Sequence, residues 1–307
     1  MTPSRKLVLI CGASGSAGRA AAIALRAADH RVTALGRTPA RIAGVTDIAG
    51  DVTEPSGLSP LFSRLKPDVV VSCIAARSRL PQEAWAIDHA ANLNLLVAAR
   101  AAGTGQFVML SAIGVQKPQL GYLQARLAFE QALMASGLDW TILRPSASFA
   151  ALSGQIDRLR SGKPYLICGD GSLTACKPIS VADLGSYIAD CLNDPARRNA
   201  ILPVGGPGPA LTPREIGAAL FRALGLPERY RSVSPLKLRL AAGGLSFASR
   251  LHPGLATRAE LARIAHYEET ESMLVWDAAA GRYDADATPS FGSDRLADHF
   301  RALSARP

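Results

Sequence analysis

The chain has 307 residues, 48% hydrophobic and 19% charged, with a formal net charge of +9. That length suits one large α/β domain or a core with a smaller second lobe, and the composition excludes a disordered chain. The positive balance favours anionic ligands, but no run of five like charges and no zinc-finger or basic-zipper spacing occurs, so nucleic acid is not an expected partner.

The N-terminal apolar run LVLIC is too short for a signal-peptide core, and no stretch of about 18 apolar residues predicts a membrane span. It reads instead as a strand buried on both faces, over residues 7–11. GASGSAG and the alanine-rich helix RAAAIALRAA follow. Further strands are predicted at 30–35, 46–51, 67–75, 106–112 and 138–145. Helical spacing marks 84–103 and 121–137, each closed by a glycine. This alternation implies βαβ units, a doubly wound parallel sheet of Rossmann type, and a ligand crevice at the carboxyl ends of the strands.

After Pro145 the pattern loosens into Gly- and Pro-rich stretches such as SGKPYLICGDGS and LPVGGPGPALTP. Helices are still expected at 181–193 and 212–225, and 237–251 is amphipathic, read as packed on its own domain in preference to a membrane surface. The expected division is a dinucleotide-binding domain over 1–150 and a smaller α/β substrate lobe over 151–307, partly interwoven with the core. Cys11, Cys73, Cys168, Cys176 and Cys191 are scattered and odd in number, which argues against a disulfide framework and a zinc or iron–sulfur centre; no metal is expected.

Gly12, Gly15 and Gly18 form G-x-x-G-x-x-G between a good strand and a good helix. The chemistry needs a tight turn, close backbone approach to a pyrophosphate and close helix packing. Ser14, Ser16 and Ala17 belong to the same phosphate-binding turn, and the helix N-terminus adds free N–H groups. An NAD site wants an acid at the end of the second strand; this chain reads LGRTPAR. Arg37 suits a 2′-phosphate, Arg19 is a candidate second contact, and Arg41 is read as a solvated residue. The expected cofactor is therefore NADPH, with Asp51 towards the adenine and Ser72, Cys73, Ile74 and Ala75 lining the nicotinamide side. Pro145, closing the sixth strand, is a further candidate contact.

Ser111 ends the fifth strand, and Tyr122 follows eleven residues on. With the glycine motif, this resembles the Ser and Tyr of short-chain dehydrogenases. Their Tyr-x-x-x-Lys, however, becomes GYLQAR here, with Arg126 at the lysine position. Arginine can supply charge and bond a ribose but cannot relay protons. From these residues the alternatives stay open: a reductase of a conjugated molecule whose reaction does not need that lysine, and a non-catalytic NADPH sensor.

WAIDHAANLNLLVAAR, MLSAIGVQKP, GQIDRLRSGKPYLICGDGSLTACKPIS, LPVGGPGPALTP and ETESMLVWDAAAGRYDADATPSFG together resemble the divinyl chlorophyllide a 8-vinyl reductase family, from Gly12 to about Gly292. The resemblance implies NADPH-dependent reduction of a C8 vinyl group to ethyl on chlorophyllide or protochlorophyllide, within chlorophyll or bacteriochlorophyll synthesis. A vinyl group has no oxygen to protonate, so a lysine-tuned tyrosine is dispensable and the main task is positioning. Ser111, Tyr122 and Arg126 are the catalytic candidates, with Ser111 and Arg126 also reaching the cofactor. Lys177, with Lys117 and Lys163 behind it, is a candidate partner for a propionate. Phe149, Tyr165 and Trp276 are candidate stacking surfaces for the macrocycle. His89 and the pair Asp284 and Asp286 are read as ordinary helix and loop residues. The implied partner is a magnesium tetrapyrrole, and the implied location is cytoplasmic, with peripheral contact to a photosynthetic membrane.

Overall fold

The computed structural model describes residues 5–305. The chain builds two compact units. One comprises the residues up to Pro145 with Val181–Val204, the other Ser146–Ser180 with the residues from Gly205 onward.

The first unit opens with β1 (Leu7–Cys11), α1 (Ser16–Ala27), β2 (Arg31–Gly36), β3 (Thr46–Ala49), α2 (Pro55–Leu65) and β4 (Val69–Ser72). It continues through α3 (Pro81–Ala84), a π-helical segment over Trp85–Ala91, α4 (Asn92–Ala101), β5 (Gln106–Leu110), α5 (Gly121–Met134) and β6 (Asp139–Pro145). The chain then gives the second unit α6 (Phe149–Leu152), α7 (Ile156–Arg160) and β7 (Tyr165–Cys168), and returns to the first with α8 (Val181–Asp190) and β8 (Ala200–Val204). The remainder of the second unit carries α9 (Pro213–Leu224), β9 (Tyr230–Val233), α10 (Pro235–Leu251), α11 (Ala256–Thr270), β10 (Val275–Asp277), β11 (Arg282–Asp284) and α12 (Leu296–Ser304).

The first unit is a seven-stranded sheet in the order β3-β2-β1-β4-β5-β6-β8, parallel throughout. This is the doubly wound fold the alternation predicts. The order reverses between β1 and β4, where such folds open a crevice. The central strands are Val/Ile/Leu runs with no exposed face, because helices cover both sides. Leu9, Val70, Phe107, Met109 and Ile142 pack with Phe62 from α2 and Phe129 from α5. Each such side chain contributes about 1.5–3 kcal/mol of burial.

The structure departs from the sequence reading in three places. α2 forms over a stretch with two prolines and a glycine, punctuation that hides its buried Leu58, Leu61 and Phe62. The predicted helix 84–103 forms, but its first half is wound as a π-helix. The seventh strand comes from AILPV, next to a segment read as loop; it pairs with β6 from Thr141↔Ala200 to Pro145↔Val204.

In the second unit β7 pairs with β9, β10 with β11, and a core forms from Phe149, Tyr165, Ile167, Phe221 and Phe300. α9 begins with a reciprocal capping box between Thr212 and Glu215 and stops at Gly225 in the left-handed region.

Within the first unit α8 lies against α1 with no room to spare: a β-carbon at Gly185 would sit 2.6 Å from the carbonyl carbon and oxygen of Ala20. Backbone cannot yield as a flexible side chain can. Gly185→Val should therefore destabilise the fold by about 2 kcal/mol and lower the melting temperature by roughly 4–8 °C, read by thermal denaturation, whereas Gly57→Val, at an exposed open position, should lower it far less.

Candidate active site

At the end of β1 the chain turns at Gly12, whose φ of +89° is costly for any residue with a β-carbon. A β-carbon there would also lie 2.6 Å from the Cys73 carbonyl oxygen, and one at Gly18 would lie 2.3 Å from the Gly12 carbonyl oxygen. The two glycines thus let α1 start directly against the strand ends. Gly15 caps α1 without a side-chain hydrogen bond. The first-turn N–H groups of Ser16, Ala17 and Gly18 lack helical acceptors by construction, and together with the helix dipole they form an anion-binding end.

This end opens onto a cleft of about 330 Å³ in the first unit. Gly12, Ser14, Gly15, Arg37, Asp51, Cys73, Ile74 and Ala75, all expected from the sequence, line it. Thr38, Asp47, Thr53, Arg77 and Ile87 also line it and were missed. Ser72 does not; its hydroxyl turns into the fold and donates to the Asn92 side-chain oxygen. Ser111, Arg126 and Pro145 are likewise outside the lining, Pro145 ending β6. Burial pushes the Cys73 thiol up to about 12, which favours its protonated form.

The Arg37 side chain is 71% exposed and stands 4.0 Å from the Asp51 carboxylate, a loose pair in solvent. The backbone and hydroxyl of Thr53 donate to Asp51 and hold its carboxyl below the usual range. Arg19, the candidate second contact, is engaged with the neighbouring loop. Its guanidinium donates to the carbonyls of Ala40 at 2.8 Å and Arg41 at 3.4 Å. Asp47 holds the same loop from the other side, accepting from the Ala40 and Arg41 amides at 2.8 and 3.0 Å. Asp47 is therefore spent on backbone donors, and Arg37 stands exposed at the end of β2. The acid in TDIA was the available sign of Asp47, legible only once β3 is known to pair beside β2.

At the other end lies the π-helical segment. Its wider turn places Asp88 inside, 2% exposed, with the Arg126 guanidinium 3.1 Å away. Asn92 donates to the Asp88 carbonyl at 3.0 Å and ties the segment to β4 through Ser72. Burial raises the Asp88 carboxyl, and the charge of Arg126 opposes that rise. Arg126 is therefore answered by a buried carboxylate, and its Nε is buried without an acceptor among the described residues. Tyr122, in the first turn of α5, is half-buried with the Arg79 guanidinium 5.7 Å from its ring centre. Ser111 donates its proton to Glu130, a fully buried acid paired also with Arg144, so towards any further partner the hydroxyl can only accept.

The second unit's candidates are distributed otherwise. Phe149 and Tyr165 are 5% and 6% exposed, packed in that unit's core, Tyr165 against Phe221 and Tyr230. Phe149 lies against His299, its ring centre 5.5 Å away. Lys177 donates to the Thr288 carbonyl at 2.8 Å and the Ser290 hydroxyl at 3.2 Å. Trp276 packs edge-on against Tyr283 in the β10–β11 hairpin. Asp284 accepts from the Asp286 and Ala287 amides and closes a turn. Lys163 is exposed, and His89 lies edge-on to Trp85.

A parallel seven-stranded sheet with a glycine turn, a helix-end anion site and an arginine at the second strand end defines a dinucleotide-binding protein of Rossmann fold. A family model described as NAD(P)H-binding matches residues 12–195. The fold is similar to that of an NADPH-dependent quinone oxidoreductase from Escherichia coli complexed with NADPH, with a TM-score of 0.69, 18% identity, and coverage of 97% of this chain and 99% of that one. Over 98% of its length the chain is 40% identical to a divinyl chlorophyllide a 8-vinyl-reductase of Zea mays, spanning 80% of that protein. It is 38% identical to the Arabidopsis thaliana protein of the same name, over 95% of this chain and 75% of that one. The chain belongs to the divinyl chlorophyllide a 8-vinyl-reductase family.

The Arg126–Asp88 pair yields a test in which the sign follows from burial. Arg126→Leu strands Asp88 as an unpaired buried carboxylate, at a cost of about 3–5 kcal/mol near neutral pH. Its folded-state carboxyl then rises further above the unfolded value, so relative to the parent the variant should lose stability progressively as pH climbs from the ordinary carboxylate range, about 4, and level off once the raised folded-state value is passed. Melting temperature against pH reads this directly; parallel curves would show that the pair carries no such energy.

Proposed function

We propose that this protein reduces the C8 vinyl group of divinyl chlorophyllide a, or of the corresponding protochlorophyllide, to ethyl. The observation that carries the reading is similarity over nearly the whole chain to reductases so named. NADPH, when bound, supplies the hydride, and a proton from solvent or a side chain completes the addition of two hydrogens across the double bond.

The chain's residues divide the work. The Gly12–Gly18 turn and the first amides of α1 hold the pyrophosphate, and Arg37 swings from its loose contact with Asp51 to grip the 2′-phosphate. Asp51 faces the adenine end. Cys73, Ile74 and Ala75 wall the nicotinamide side, and Arg126, fixed by Asp88, serves the nicotinamide ribose. Tyr122 and Ser111 stand at the reacting end. The residues over 1–150 serve the cofactor and those over 151–307 the tetrapyrrole, with Lys177 offering its third N–H to the propionate. The protein works in the cytoplasm at the face of the photosynthetic membrane, where its substrate partitions.

The purified protein, incubated anaerobically with NADPH and divinyl chlorophyllide a, should shift the Soret band and give a product heavier by two hydrogens, with NADH much slower. Unchanged pigment beside demonstrable NADPH binding would overturn the reading. Arg37→Ala should raise KM for NADPH by roughly ten- to hundred-fold, the worth of a charge-assisted contact, while leaving KM for NADH within about two-fold. Equal effects on the two cofactors would remove Arg37 from 2′-phosphate recognition.

A further inference from the structure

α10 is seventeen residues long, yet of these only Ala242 is buried. Leu238, Ala242, Leu245 and Ser249, at helical spacing, form the more buried face, and α10 packs against α11. The opposite face carries Leu236, Leu240, Phe247 and Leu251, exposed by 56%, 63%, 64% and 67%. At about 100° per residue these four fall within a stripe roughly 60° wide. Large apolar side chains scattered singly on a surface need no explanation, but four aligned on one helix do.

The flanks of the stripe indicate what covers it. Arg239 and Arg250 project on one side and Lys237 on the other, all exposed, and α10 contains no acidic residue. Gly243 and Gly244, also exposed, interrupt the stripe with no polar side chain. No helix among the described residues is long and apolar enough to cross a membrane. An apolar stripe bordered by cations, with no anion on its own helix, matches a helix lying in the interface of a bilayer with anionic headgroups.

We propose that α10 is a membrane-docking helix, seating Leu236, Leu240, Phe247 and Leu251 among the acyl chains of an anionic bilayer while Lys237, Arg239 and Arg250 meet the headgroups. The assignment stands independently of the reductase reading, since it needs neither NADPH nor pigment.

Sedimentation of the full-length protein with phosphatidylglycerol/phosphatidylcholine vesicles tests it, with phosphatidylcholine vesicles alone as the second arm. The parent should bind the anionic vesicles and lose most of that binding as salt rises. The double variant Leu240→Asp, Phe247→Asp should bind at least about ten-fold more weakly, and Arg239→Gln, Arg250→Gln weaker by about five-fold per charge removed. NADPH binding and the melting temperature of each variant should match the parent, which separates lost docking from lost folding. Equal binding by parent and variants, or none by the parent, overturns the proposal. So does a parent dimer in sedimentation velocity that Leu240→Asp, Phe247→Asp converts to monomer without any vesicle effect, because the stripe would then belong to a second copy of the chain.

Discussion

The cofactor cleft depends on one backbone contact. Gly18, in the first turn of α1, comes so near the Gly12 carbonyl that no β-carbon fits between them. That contact sets where α1 starts, hence where its unpaired N–H groups point, and so where a pyrophosphate can be held. Gly12 does the same on the other side, letting the turn lie on the Cys73 carbonyl and bringing the ends of β1 and β4 together at the reversal of strand order. Everything else at the cofactor end is supported from there. Arg19, one residue beyond Gly18, reaches back to Ala40 and Arg41, so the helix that starts at the glycine turn also holds the loop that follows Arg37.

At position 126 the departure from the usual short-chain pattern is a change of chemistry, an arginine where that pattern has a lysine. A lysine can lose its proton when buried; a guanidinium cannot. The structure adds what Arg126 receives in exchange, a buried carboxylate in a helix wound wide enough to contain it. The result is a permanent charge neutralised inside the protein. Such a charge is a poor relay for protons.

The parts legible in the sequence were those written locally. β1, the glycine turn and the alanine-rich α1 are contiguous, and the valine run of β4 reads as a buried strand without knowledge of its neighbours. β8 was not legible, because AILPV becomes a strand only by pairing with β6, whose residues lie far earlier in the chain. The same holds for Asp88 and Arg126, brought together from separate helices, and for Asp47, whose carboxylate looks available until the amides of Ala40 and Arg41 are placed on it. Phe149 and Tyr165 show the opposite failure: an aromatic in a loop-rich stretch resembles a ligand platform, yet both rings fill the core of the second unit. Sequence patterning identifies aromatic residues and charges; what each one is spent on is settled by partners that are distant in sequence.

β8 also bears on how the protein is made. The sheet that builds the cofactor cleft takes its last strand from Ala200–Val204, after the chain has already laid down Ser146–Ser180 of the other unit. During synthesis, therefore, β6 emerges from the ribosome as a sheet edge with unpaired backbone groups, and it stays so until some sixty further residues have followed. At about 5–20 residues per second that interval lasts several seconds. An open edge of this kind invites pairing with another nascent chain. No single uninterrupted stretch of gene encodes the finished cofactor-binding unit, so a fragment ending at Pro145 would leave that edge uncovered for good.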